Sequence, residues 1–195
     1  MLEESKYIHK IAGVGILTAL VVVLQFINNN FAIGVLSFNL AIFPIALGAI
    51  MYGPIVGLAL GLVDGGMVLM ATGTEFFMAY NPIATILLCL MKTGLAGLAS
   101  GFIMMPFRKK NEFLGTILAS CAVPIVNTGL FILGTFFVFG GAFGQSINGE
   151  YFVFILTGLI GVNFFIEFGV NSALSPALYQ VYKVVSKRMN RIDNQ

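Results

Sequence analysis

Six stretches of predominantly apolar residues follow one another along this chain, and the segments between them are too short to fold independently. An α-helix rises about 1.5 Å per residue and the hydrocarbon of a bilayer is about 30 Å thick, so roughly 20 such residues are needed for one crossing. The stretches run over 8–28, 35–52, 54–72, 82–105, 113–139 and 151–182. They predict an all-α membrane protein, a compact bundle of six transmembrane helices forming one integral membrane domain over 1–195.

Composition agrees, with 58% hydrophobic residues, 9% charged residues and a mean hydropathy of +0.98. The placement of the cations adds orientation. Lys6, Lys10, Arg108, Lys109, Lys110, Lys183, Lys187, Arg188 and Arg191 all fall on one side when six spans are threaded, whereas the outer loops hold only Glu75 and Glu150. Cytoplasmic loops collect Lys and Arg, so both termini are expected in the cytoplasm. The net charge of +2 reflects juxtamembrane anchoring against anionic lipid and gives no reason to expect a nucleic-acid partner. The first segment lacks a small-residue cleavage site and reads as a retained helix rather than a secretory signal.

No segment is large enough for a soluble nucleotide-binding or catalytic domain, and neither a phosphate-cradling motif nor a metal-type cluster is present in the sequence. No cofactor is expected. Cys89 and Cys121 lie within spans and read as packing residues, and His9 as an interfacial side chain. Connections carry turn chemistry: Asn28-Asn29-Asn30 opens the first outer loop, and Tyr52-Gly53-Pro54 makes a tight turn. Gly53, Gly57, Gly61 and Gly65 recur every four residues, leaving a groove for a neighbouring backbone, and Gly97 and Gly101 repeat the spacing on the fourth helix. Gly15 and Ala19 form a similar pair on the first helix, serving either internal packing or the docking of another membrane subunit. Phe31, Phe76, Phe77 and Tyr80 in the outer loops read as interface anchors or as a cover over the apolar part of a ligand.

Chemistry is confined to the spans. Asp64, Lys92 and Glu167 lie near the middle of three of them, where an unpaired charge costs at least ~2.5 kcal/mol, so each should meet a partner charge or a water-filled cavity. Asn163, Glu167, Asn171 and Ser175 recur at four-residue spacing, drifting about 40° per step, which keeps them on one stripe that cannot face lipid. Asn81, Thr85, Cys89 and Lys92 make a second band on the fourth helix. Asn127 and Thr128 follow Pro124, whose missing N–H frees a carbonyl on the fifth helix, and Asn39 is placed on the second helix just below the first outer loop. Asn39, Asn81, Lys92, Asn127, Asn163, Glu167 and Asn171 are therefore the candidate substrate-binding residues, with interhelical hydrogen bonding as the competing role for each Asn.

The stretch Phe43-Pro44-Ile45-Ala46-Leu47-Gly48-Ala49-Ile50-Met51-Tyr52-Gly53-Pro54-Ile55-Val56-Gly57 resembles the second helix, Gly-Pro turn and third helix of the substrate-binding S components of energy-coupling factor (ECF) vitamin transporters, and the likeness extends over nearly the whole chain. The resemblance implies a six-helix subunit that captures a water-soluble vitamin outside and works with a membrane-embedded coupling subunit and two cytoplasmic ATPases. It implies a binding site toward the outer face, where Asn81, Lys92, Asn127, Asn163 and Glu167 occupy compatible places. It also implies an Ala-xxx-Ala docking motif on the first helix, which Gly15 and Ala19 match only in residue size.

A buried lysine is a natural counter-charge for a carboxylate, and Asn-rich walls suit hydroxyl and amide groups. A small polar acid such as pantothenate fits both best, with folate and other vitamins behind it, and the absence of Trp weighs against stacking of a large flat ring. Two other classes remain open on sequence: a membrane-embedded enzyme using Asp64 or Glu167 on a lipid or isoprenoid, and a structural subunit in which the polar stripes serve only to join helices.

Overall fold

The computed structural model describes residues 2–30, 39–71, 74–146 and 161–193, and these residues form helices without strands. In chain order they are α1 (Leu2–Asn30), α2 (Ile42–Tyr52), α3 (Pro54–Val68), α4 (Glu75–Tyr80), α5 (Pro82–Phe107), α6 (Glu112–Ser146) and α7 (Gly161–Asp193). Among the described residues, Tyr7–Asn30, Pro82–Phe107 and Glu112–Phe139 are long and apolar enough to cross a membrane. Helices α2 and α3 are apolar but shorter, at 11 and 15 residues.

Local chemistry sets the boundaries. Asn81 caps α5 by accepting the Ala84 N–H at 3.1 Å ahead of Pro82, whose missing N–H costs nothing in the first turn. Asn111 does the same for α6 through the Leu114 N–H at 3.1 Å. Between α2 and α3, Gly53 has φ 101°, a conformation from which a side chain is excluded, and Pro54 follows at the start of α3.

Around an apolar core that includes Leu17, Val21, Ile42, Ile45, Ile50 and Leu60, the exterior is unlike that of a soluble protein. Ile16, Phe26, Ile55, Ile83, Phe102, Phe137 and Phe165 are exposed around the bundle, whereas Gln25, Asp64, Ser100, Thr116, Asn127, Glu167, Asn171 and Ser175 are buried within it. Such an apolar exterior fits a hydrocarbon solvent. Helix α2 is buried along its whole length except at Phe43 and Tyr52, so it runs through the centre, in contact with α1, α3, α5, α6 and α7.

The glycine repeat works as the spacing predicts. A side chain at Gly57 would strike the Gly97 carbonyl, at Gly61 the Thr93 carbonyl, at Gly65 the Cys89 carbonyl, and at Gly101 the backbone of Pro54. Each step of four along α3 is matched by a step of four backwards along α5, so the two helices lie antiparallel with backbone against backbone.

Two ends of the bundle can be told apart. At one, Gly13 packs against Tyr52, Arg108 Nη2 donates to the carbonyls of Ile50 (2.7 Å) and Met51 (3.3 Å), and Tyr182 donates to Glu112 Oε1 at 3.2 Å. This end carries the basic 108–110 connection, the first turns of α1 and the last turns of α7. At the other, Asn29 Nδ2 donates to the Met67 carbonyl at 3.0 Å, and Phe77 and Tyr80 of α4 pack on Phe139 with ring centroids 5.1 and 5.8 Å apart.

Several expected boundaries shift. Residues 35–38 and 151–160 lie outside the described residues, as do Phe31 and Glu150. Asn28, Asn29 and Asn30 close α1 rather than opening a loop, because Asn30 Nδ2 turns back to the Phe26 carbonyl at 2.7 Å while Asn29 reaches α3. The third helix ends at Val68, four residues earlier than the apolar stretch, and the expected outer loop contains α4. Helix α7 continues to Asp193, past the last apolar turn, since Lys, Arg and Met have good helix propensity.

Candidate functional site

Asn39 is the link between three segments. It stands in the turn before α2, not on the helix as its sequence position suggests, and its Oδ1 accepts the Ala41 N–H at 3.0 Å. This local bond competes with helix extension and turns the remaining donors inward. Nδ2 donates to Asp64 Oδ2 of α3 at 3.1 Å, and the backbone N–H donates to Glu167 Oε1 of α7 at 3.2 Å. A single residue thereby connects two buried carboxylates that are 103 positions apart in sequence.

Lys92 of α5 completes the electrostatic group. It interacts with Asp64, Glu167 and Cys89, yet among the described residues it forms no ion pair; its ammonium instead lies 4.7 Å from the ring centroid of Phe131 on α6. Phe77 of α4 packs edge-on against the same Phe131 at 5.8 Å, so the α4 aromatics cover this wall from the end opposite Arg108. Asn127 is buried one turn before Phe131 on the same face of α6, with Thr128 buried beside it.

The polar stripe on α7 faces inward, as its spacing requires. Asn163 is half-buried, and Glu167, Asn171 and Ser175 are buried. Asn171 Nδ2 donates to the Glu167 carbonyl at 3.1 Å, the Ser175 hydroxyl donates to the Asn171 carbonyl at 2.7 Å, and Ser175 meets Ser120 of α6. The lower stripe is therefore joined to α6 by hydroxyl contacts, with Cys121 and Ser172 at 3.3 Å alongside.

Depth follows from helix geometry. Asp64 is four residues from the end of α3 at Val68, and Lys92 ten residues from the start of α5 at Pro82. At 1.5 Å per residue they sit about 6 and about 15 Å from those helix ends, and Glu167 is tied to the same level by its bond to Asn39. The group occupies the half of the bundle away from the basic end.

Asn81 stands apart. It is exposed, its side chain caps α5, and it belongs to the helix boundary rather than to the buried group. Gln25 was missed by the sequence reading: it is buried in α1, donates to Asn29 Oδ1 at 3.0 Å, and through Asn29 reaches Met67, one turn beyond Val63 and Asp64. The four-residue spacing of Gln25 and Asn29 at the end of an apolar run was the available signal. Among the described residues no group of His, Cys, Asp and Glu is arranged to hold a metal ion.

Residues 9–179 match the family model described as ECF transporter, substrate-specific component. The chain belongs to this family. Neither a curated protein nor a solved structure matches it. As an ECF substrate-specific component the chain is a membrane-embedded, substrate-binding subunit of a transporter, which removes the readings as a lipid-modifying enzyme and as a purely structural subunit. Its first helix turns Gly15 and Ala19 outward: both are exposed and nothing lies within 4 Å of the place a side chain at Gly15 would occupy. Internal packing is served instead by Gly13, two residues earlier, against Tyr52.

Proposed function

We propose that this ECF substrate-specific component binds a small, anionic, water-soluble vitamin, with pantothenate as the best candidate, in the half of the bundle opposite its basic end. The observation that carries the reading is the position of Lys92: a cation inside the bundle, held against an aromatic ring, without a carboxylate partner among the described residues. A ligand carboxylate supplies that partner, and the low-dielectric surroundings strengthen the attraction. Asn39, Asn127, Asn163, Glu167 and Asn171 offer donors and acceptors for hydroxyl and amide groups, and Asn81 lies at the rim rather than in the wall.

The chain acts as one integral domain over 1–195 that crosses a bacterial plasma membrane six times, with both termini and the 108–110 connection in the cytoplasm. The collection of cations at one end supports this orientation. Its partners are a membrane-embedded coupling subunit, which the exposed Gly15 and Ala19 face of α1 suits by allowing close approach, and two cytoplasmic ATPases that supply the energy.

Mass spectrometry of small molecules released from the purified chain tests the substrate, and titration calorimetry with pantothenate tests its affinity. Recovery of a vitamin without an acid group would refute the role of Lys92. Labelling of single cysteines at positions 30 and 110 in intact cells tests the orientation, with labelling from outside expected at 30 alone.

A further inference from the structure

Two carboxylates and one ammonium share the buried group. Asp64 of α3 is fully buried, Glu167 of α7 is buried, and Lys92 of α5 is half-buried. The other elements around them add no charge among the described residues: α1 brings Gln25, the turn before α2 brings Asn39, α6 brings Asn127, Thr128 and Phe131, and the remaining titratable group is the Cys89 thiol of α5. With all three ionised, the empty group carries one net negative charge. An anionic ligand on Lys92 would make it two, in surroundings where uncompensated charge is strongly disfavoured.

A second observation shows where compensation can go. Asp64 uses Oδ2 to accept from Asn39, while its Oδ1 is buried and receives no hydrogen bond among the described residues. An acceptor in that position, beside a second carboxylate held by the same asparagine, is a place for a proton. We propose that the site takes up its anionic ligand together with one proton, which the Asp64–Glu167 pair holds. The proton comes from water and adds to a carboxylate oxygen; no other bond changes. The loaded group then carries the same charge as the empty one, and the new O–H is a donor for the ligand's own oxygens. This inference rests on the reading of the substrate as an acid bound by Lys92.

The test is calorimetric titration of pantothenate into the full-length, detergent-solubilised chain, in two buffers of different ionisation heat, across about pH 5.5 to 8.5. The expected result is uptake of about one proton per ligand, with affinity falling about tenfold per pH unit on the alkaline side. Asp64→Asn combined with Glu167→Gln should abolish the uptake. If that variant does not fold, the two-buffer measurement on the unaltered chain decides alone. Pantothenate bound with equal heats in both buffers and unchanged affinity across the range overturns the proton and leaves the substrate reading in place. Absence of pantothenate binding at every pH overturns both.

Discussion

The Lys92 ammonium rests 4.7 Å from the centroid of the Phe131 ring, joining α5 to α6 through a cation–π contact instead of an ion pair. Such a contact contributes about 0.5–2 kcal/mol and leaves the ammonium's remaining donors uncommitted. Lys92→Met should therefore weaken pantothenate binding by about 100-fold or more, and the thermal unfolding midpoint in detergent should fall as well, because Asp64 and Glu167 lose the cation that offsets them. Phe131→Leu should keep binding measurable but weaken it about tenfold, through loss of the ring that positions the ammonium. Calorimetry and thermal unfolding on the same samples separate the two effects.

Asn39 offers a different kind of change. Asn39→Ala removes the side-chain donor to Asp64 but keeps the backbone donor to Glu167. One lost hydrogen bond to a charged group is worth about 1.5–3 kcal/mol, so a combined loss in stability and ligand affinity of this size is expected. Asn39→Asp should be worse than Asn39→Ala, since it places a third carboxylate against the other two. Equal behaviour of the two variants would show that the side chain does not face the acids.

The glycine seam and the first helix make a contrasting pair. Gly61→Leu drives a side chain into the Thr93 carbonyl, whereas Gly15→Leu meets open space. The first should fail to accumulate as a monodisperse protein by size-exclusion chromatography. The second should fold and bind ligand normally but copurify less of the coupling subunit when the two are expressed together.

Arg108 is expected to act on stability alone. Its guanidinium caps the last carbonyls of α2, a favourable place for a cation at a helix C-terminus. Arg108→Ala should cost about 1–3 kcal/mol, and Arg108→Lys should recover part of it. Ligand affinity should be unaffected in both, because the cap lies at the basic end and the carboxylates at the other.

Much of this arrangement could be read from residue spacing. Gly57 and Gly61 announced a close backbone approach, and the α7 stripe of Glu167, Asn171 and Ser175 faces inward because a polar row on a span has nowhere else to go. Lys92 and Asp64 were conspicuous as charges within apolar runs. What escaped were features decided by competition between local and tertiary bonds. Asn39 lies outside α2 because its side chain bonds to its own backbone two residues on, and Asn81 became a cap for the same reason. Gln25 passed unnoticed because a single uncharged amide hardly disturbs the hydropathy of α1. Arg108 looked like a lipid anchor, since nothing in the sequence pairs it with carbonyls 57 and 58 positions away.

The antiparallel contact of α3 with α5 has a mechanical consequence. Carbonyls are seated directly against glycines at three successive turns, and Leu58 and Leu62 of α3 already pack over Gly94 of α5, so a slide of either helix would break every one of these contacts at once. The two helices must travel as a single plate. For the proposed ligand to reach Asp64 and Lys92 another wall must therefore give way, and Asn39, bonded to Asp64 on the plate and to Glu167 on α7, is a fastening that can be undone.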